Sequence, residues 1–315
     1  MARASVKGKG TRKEPWTLKT PPGSSEFSAF RDEALDPPAL VVQVGKNNMD
    51  SAGEKYWSKL WGELPLPKIV NPKEPGLINY INRRWHKFFC EVFGMRRTKD
   101  EQLLEVGCAR SIWLPYYAKE FGFKISGIDY SETGCAQESL LLSSEGVNGR
   151  IVCSDFFSPP DDMIGAFDVV VSFGVMEHFK NTSDCAEMFA RFLKPEGLLI
   201  TIIPNMIGLI GMFQKVLNRP VYEIHVPLTK EALAAAHKNA GLKVLSAGYF
   251  LSTNFGVVNL SQLPINLTYL FKKVLLASLT RVSMGAWFFE EKCFLLPEGK
   301  TFSPYIFCTA QKKRA

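Results

Sequence analysis

From residue 101 to residue 250 the chain alternates short apolar runs with stretches of helical periodicity, a rhythm that constrains the fold more than any other feature. Strands are expected at 102–107, 124–129, 150–154, 167–172, 197–203 and 243–250, with one more at 304–310. Helices fit at 111–121, 132–145, 182–193 and 229–240. Runs such as VVV and LLITII lack polar alternation, so both faces of these strands must be covered. An α/β fold with a doubly wound, mostly parallel sheet follows. Ligands of such sheets bind beyond the carboxyl ends of the strands, where strand order reverses.

Residues 1–48 are rich in Pro, Gly, Ser and charge, and read as a basic, flexible tail and extended arm. Residues 49–98 read as an N-terminal helical cap. There Ser51 and Glu54 offer a capping box, and Ile78, Ile81, Trp85, Phe88, Phe89 and Val92 share one helix face. Residues 99–315 form the main domain, with two apolar insertions, 205–228 and 251–300, that read as substrate lids.

Seven scattered cysteines without a C-x-x-C pair suggest neither a disulfide framework nor a zinc site, and no metal is expected. A reducing compartment, the cytoplasm, fits this usage. The net charge of +7 arises largely at the amino end, where residues 1–19 carry six basic residues against Glu14 alone. Such a tail can hold an anionic partner. No nucleic-acid module, secretory signal or transmembrane helix is recognised; a membrane-surface role and homo-oligomerisation stay open.

The segment LLEVGCARS, residues 103–111, runs from a strand into a turn of small residues and then a helix. Small residues let a ligand approach the backbone, and the helix aims unpaired N–H groups at it. Three carboxylates, Glu105, Asp129 and Asp155, fall at the ends of three neighbouring strands. They would repel a pyrophosphate but suit a ligand with an ammonium, a ribose diol and an exocyclic amine, as S-adenosylmethionine has.

LLEVGCARS, GIDYSE, CSDFF, FDVVVSFGVMEHF and FLKPEGLLIT occur in this order and spacing, and together the sequence resembles the class I S-adenosylmethionine-dependent methyltransferases of small-molecule type. The resemblance covers about residues 101–250. It implies a Rossmann-like seven-stranded sheet with an antiparallel last strand. It also implies that Gly107, with Cys108 and Ala109 beside it, passes beneath the methionine portion of the cofactor. Asp129 would accept both ribose hydroxyls and Tyr130 stack beside the adenine. Asp155 and Phe156 would meet the adenine amine and edge, and Phe173 would offer its carbonyl near the ammonium. Glu105 serves either the cofactor or, as a buried carboxylate, the turn itself. The family has glycine where Ala109 and Ser111 stand. Alanine resists positive φ, so its methyl is expected to narrow the approach or shift the turn.

Methyl transfer from a sulfonium needs alignment, and a base only when the acceptor must lose a proton. His178, past the fourth strand, and His225, before the penultimate helix, are the candidate catalytic residues. Tyr56, Trp57, Tyr222 and Glu223 are candidate cap or substrate contacts. His86 and His237 read as surface or packing residues. The expected function is methyl transfer to O or N of a small, fairly apolar acceptor. The alternatives are a macromolecular or membrane-lipid acceptor, or a silent cofactor-binding scaffold.

Overall fold

The computed structural model describes residues 6–7, 9, 11, 16–18, 27–33, 37–44, 50–94 and 96–314. The chain divides into two units, Met1–Met49 and Asp50–Ala315.

The first unit carries four antiparallel strands in sequential order: β1 (Val6–Lys7), β2 (Trp16–Leu18), β3 (Phe27–Asp32) and β4 (Ala39–Val44). This corrects the expectation of a flexible tail. Six residue pairs, from Phe27↔Val44 to Asp32↔Ala39, join β3 to β4. β1 and β2 are only two and three residues long, β3 and β4 lie in a Pro-, Gly- and Ser-rich background without helices between them, and pairing between strands is what stabilises the set.

In the second unit β5 (Gln102–Val106), β6 (Lys124–Asp129), β7 (Gly149–Cys153), β8 (Phe167–Phe173) and β9 (Leu193–Pro204) are parallel. β10 (Lys243–Phe250) and β11 (Tyr305–Gln311) complete a sheet of order β10-β11-β9-β8-β5-β6-β7. β11 runs antiparallel to both neighbours. The expected sheet, including its antiparallel last strand, is therefore present. Strand order reverses beside β5, and the register aligns Val106 with Ile128 and Ser172. That register brings Gly107, Asp129 and Phe173 to one level at the carboxyl edge.

The helices are α1 (Glu54–Gly62), α2 (Tyr80–Phe93), α3 (Leu114–Phe121), α4 (Glu132–Ser144), α5 (Thr182–Phe192), α6 (Leu209–Leu217), α7 (Arg219–Glu223), α8 (Lys230–Asn239) and α9 (Leu267–Lys292). Leu103, Val169 and Ile200 pack on α2 and α3 through Trp85, Phe89 and Leu114. Leu104, Val170 and Leu199 pack with Phe189 and Phe192 of α5 and Leu233 of α8. α2 is thus part of the core rather than a cap. Ile78 lies in a 3-10 turn before α2 and is 85% exposed, because the expected helix begins three residues late.

The Ser51–Glu54 capping box does not form. Gly53 occupies the N-cap with φ +78°, and the N–H of Ser51 donates instead to the carbonyl of His178 at 2.9 Å.

Candidate cofactor and acceptor site

Gly107 ends β5 with φ +79°, and a Cβ there would lie 2.2 Å from Val175 Cγ2, so glycine is required twice over. The next left-handed residue is Arg110, φ +56°, and not Ala109. Arg110 is held by hydrogen bonds to the carbonyls of Leu64, 2.9 Å, and Pro65, 2.6 Å, and to Gln137 Oε1, 3.0 Å. The methyl of Ala109 is accommodated at Gly134, where a Cβ would come within 2.4 Å of it. The expected conflict between alanine and positive φ therefore does not arise.

Ser111, the other departure from glycine, caps α3. Its Oγ accepts from the N–H groups of Trp113, 3.0 Å, and Leu114, 3.1 Å, and donates to Glu105 Oε2 at 2.6 Å. Burial, only partly offset by the Ser111 hydrogen bond, pushes Glu105 up to about 8. Glu105 thus holds its proton at neutral pH and belongs to the turn rather than the ligand. Cys108 is fully buried with its sulfur over Gly127. Glu138 is buried beside them, pushed up to about 9 first by burial and then by Glu105.

A cleft of about 690 Å³ opens at the carboxyl edge. Of the residues expected there, Gly107, Ala109, Asp129, Tyr130, Phe156, Phe173, His178 and Trp57 line it. Asp129 Oδ2 accepts from the N–H of Ala109, 3.1 Å, and Oδ1 from that of Ser131, 2.8 Å. Each oxygen keeps lone-pair capacity for one hydroxyl of a vicinal diol. Burial, with a smaller contribution from the charge of Asp50, pushes this carboxyl up to about 6. These features fit the ribose of S-adenosylmethionine, and Tyr130, Phe156 and Phe173 give the cleft its aromatic walls. Asp155 does not line the cleft; it is exposed and accepts from the N–H of Phe157 at 2.9 Å.

Trp61, read with Tyr56 and Trp57 as an aromatic that could close over the cofactor, also lines the cleft, as do Asp50, Val175 and Phe179, which sequence reasoning missed. Asp50 accepts from Trp57 Nε1 at 2.7 Å and from the Tyr130 hydroxyl, tying the entry to α1 to the end of β6. Trp57 stacks on Trp61 at 5.4 Å and meets His178 edge-on at 5.0 Å. Ser58 and Ser131 hydroxyls join α1 to the start of α4 at 2.9 Å. An acidic residue just before a helix is the one signal that marked Asp50, and it resembles any helix start.

A second cavity, about 400 Å³, is lined by Tyr56, Trp57, Met206, Val221, His225 and Val257 among others. Trp57 borders both cavities. His178, on the cleft, and His225, on the second cavity, have ring centroids 4.6 Å apart. His178 Nδ1 meets the carbonyl of Ile224 at 3.0 Å, and His225 Nδ1 that of Val221 at 2.6 Å. A carbonyl can only accept, so Nδ1 carries the proton in each ring and Nε2 keeps a lone pair. Burial lowers His178, and burial together with the neighbouring His178 pushes His225 down to about 4. Both imidazoles are neutral at neutral pH.

Burial pushes Glu177 up to about 8; its Oε1 lies 3.9 Å from His178 Nε2, and its buried Oε2 has no hydrogen-bond partner. Glu177, His178 and His225 offer donor atoms within 4.8 Å of one another and could hold a cation, an option the sequence reading did not foresee. Tyr222 and Glu223 line neither cavity: Lys215 lies 5.6 Å from the Tyr222 ring centroid, and Glu223 pairs with Arg219 at 2.7 Å. His86 and His237 pack as expected, with His237 Nε2 2.9 Å from Thr201 Oγ1.

Residues 77–247 match the family described as methyltransferase domain, and residues 8–54 a family of unknown function. A ubiquinone biosynthesis O-methyltransferase of Sodalis glossinidius is 25% identical over 174 residues, 55% of this chain and 61% of that relative's length. A solved sarcosine dimethylglycine methyltransferase, so assigned by its authors only provisionally, from Galdieria sulphuraria shares the fold at TM-score 0.52 and 15% identity, over 84% of this chain and 99% of its own. Geranyl diphosphate C-methyltransferase from Streptomyces coelicolor A3(2), solved with S-adenosyl-L-homocysteine, shares it at TM-score 0.54 and 14% identity, over 85% and 99%. The family match spans more than half of the chain and coincides with the sheet that holds Gly107 and Asp129, so the chain belongs to the methyltransferase domain family, in its class I, S-adenosylmethionine-dependent form.

Proposed function

We propose that this protein transfers a methyl group to oxygen or nitrogen of a small, fairly apolar acceptor held in the second cavity. The observation that carries this reading is the pair of neutral histidines between the two cavities, each with Nδ1 fixed on a backbone carbonyl. S-adenosylmethionine supplies a methyl already activated on a sulfonium. Asp129 and the Gly107 turn hold the cofactor in the cleft, while Trp57, shared by both cavities, limits water at their junction. His225 Nε2, its lone pair left free by the Nδ1 bond to Val221, takes the proton of a hydroxyl or amine acceptor as the methyl is transferred, and burial, with His178 beside it, keeps the imidazole unprotonated beforehand. The walls of the second cavity, Met206, Val221, Ile224 and Val257 beside Tyr56 and Trp57, suit a small acceptor with an apolar face. The relatives above act on oxygen and on carbon, so the acceptor atom is read from product analysis.

The test is conversion of S-adenosylmethionine to S-adenosylhomocysteine with a panel of phenolic, amine and polyketide-like acceptors. His225→Asn is expected to lower kcat by about 10²-fold or more, the usual contribution of a general base, with cofactor affinity unchanged. Methylation of RNA alone would sink the small-molecule reading. Saturable cofactor binding with no acceptor converted would favour a silent scaffold.

A further inference from the structure

α9 presents two opposed apolar faces. Leu275, Leu276 and Leu279 pack inward on Ile210, Leu217 and Phe255, and Trp287 Nε1 anchors the helix to the carbonyl of Thr253 at 2.8 Å. The outward stripe carries Leu267 (83% exposed), Phe271 (70%) and Val274 (66%), spaced four and three residues apart, and resumes beyond Ser278 at Val282 (63%). Val216 of α6, 69% exposed, extends the patch, and Lys272 Nζ joins the two helices through the carbonyl of Leu217 at 2.6 Å. An apolar outward stripe of this length is not ordinary surface composition.

The charge around the stripe indicates what covers it. Residues 205–222 and 251–289 contain no Asp or Glu, yet include Lys215, Arg219, Lys272, Lys273 and Arg281. Arg219 is paired with Glu223, but a second copy meeting this face across a two-fold axis would set Lys215, Lys272, Lys273 and Arg281 against their own equivalents with no acid in these segments to pair them. A surface that is both apolar and anionic complements the patch, and a bilayer with acidic headgroups is such a surface. No helix among the described residues is long and apolar enough to cross a membrane, so α9 would lie along the interface.

We infer that the outward face of α9, with the exposed edge of α6, docks the protein on an anionic lipid bilayer. The second cavity is lined by Gln214 of α6 and by Val257, and α6 and Val257 pack against the inward face of the same helix. An apolar acceptor held in the bilayer would then be delivered close to the elements that line that cavity. This last step rests on the acceptor reading above; the docking itself does not.

The experiment is flotation of the full chain with phosphatidylcholine vesicles, with and without phosphatidylglycerol. The wild type is expected to float with the anionic vesicles and to be released by salt. Phe271→Ser with Val274→Ser, and separately Lys273→Glu with Arg281→Glu, should each weaken partition at least about tenfold. All four side chains are exposed, so folding and S-adenosylmethionine titration should be unchanged in both variants. A wild type that stays unbound at excess anionic lipid overturns the inference. So does vesicle binding untouched by either pair, or self-association abolished by the serine pair without vesicle binding. Flotation needs no acceptor, so its failure leaves the catalytic reading standing, and failure of the acceptor screen leaves the docking face standing.

Discussion

Gly134→Ala tests how this chain tolerates alanine in its cofactor turn. The added Cβ would stand 2.4 Å from Ala109 Cβ, 3.1 Å from Trp61 Cδ1 and 3.3 Å from Ala109 Cα. Carbon atoms settle at about 3.5–4.0 Å, so Ala109 must retreat by about 1 Å. Its N–H is held by Asp129 Oδ2 at 3.1 Å, and retreat strains that bond. Overpacking of this kind costs about 1–3 kcal/mol, offset by about 1 kcal/mol gained when alanine replaces glycine in a helix. A net loss of up to about 2 kcal/mol is expected in urea unfolding, together with weaker S-adenosylmethionine binding.

In an Ala109→Gly background the 2.4 Å contact is gone and the closest remaining atom is at 3.1 Å. Gly134→Ala should then be neutral or stabilising, so the two substitutions should couple by about 1–3 kcal/mol in a double-mutant cycle. Four urea curves and four calorimetric titrations measure this. Effects that add within about 0.5 kcal/mol would refute the compensation between Ala109 and Gly134.

Asp129→Asn removes charge-assisted bonds to the cofactor diol and should weaken S-adenosylmethionine binding about 10–100-fold, corresponding to roughly 1.5–3 kcal/mol. With its free carboxyl at about 6, wild-type affinity should fall as pH drops below that value, because binding favours the ionised form; the Asn variant should lose this dependence. Calorimetry from pH 5 to 8 decides it, and an Asn variant that binds like the wild type defeats the diol assignment. Glu138, pushed from 4.5 up to about 9, keeps its proton in the folded state while the unfolded chain releases it. The pH-dependent part of its cost is therefore absent below about pH 4.5 and grows by at most about 1.4 kcal/mol per pH unit up to about 9. Glu138→Gln should stabilise the protein more at pH 8 than at pH 5.5, and equal shifts in urea midpoint at both pH values would contradict the assignment. Asp50→Ala frees Trp57 Nε1 and the Tyr130 hydroxyl, and stopped-flow tryptophan fluorescence should show cofactor release accelerated about tenfold, the scale of one charged hydrogen bond. Release at the wild-type rate would mean that this carboxylate does not hold the cap.

What was legible in the sequence follows from how local each determinant is. β5 through β11 announce themselves because most are apolar runs bounded by a turn or a helix, and the alternation with helices implies the parallel order. β1 to β4 escape the same reading because their stability resides in ladders such as Phe27↔Val44, which no single segment reveals. The cofactor turn divides along the same line. Gly107 and Asp129 are fixed by strand ends and were readable, whereas the conformation of Ala109 depends on a glycine 25 residues later and on Arg110 reaching back to Leu64 and Pro65. Glu105 was ambiguous until its burial and its bond from Ser111 assigned it to the turn. Asp50 and Trp61 reach the cleft only because α1 is laid across it by bonds from Ser51 to His178 and from Ser58 to Ser131. A cap built from such distant, single contacts has no period and no spacing to detect, yet it decides which side chains meet the ligand. On the proposed reading, acceptor specificity is carried by α1, α6 and α7, which line the second cavity and whose placement the sequence constrains least.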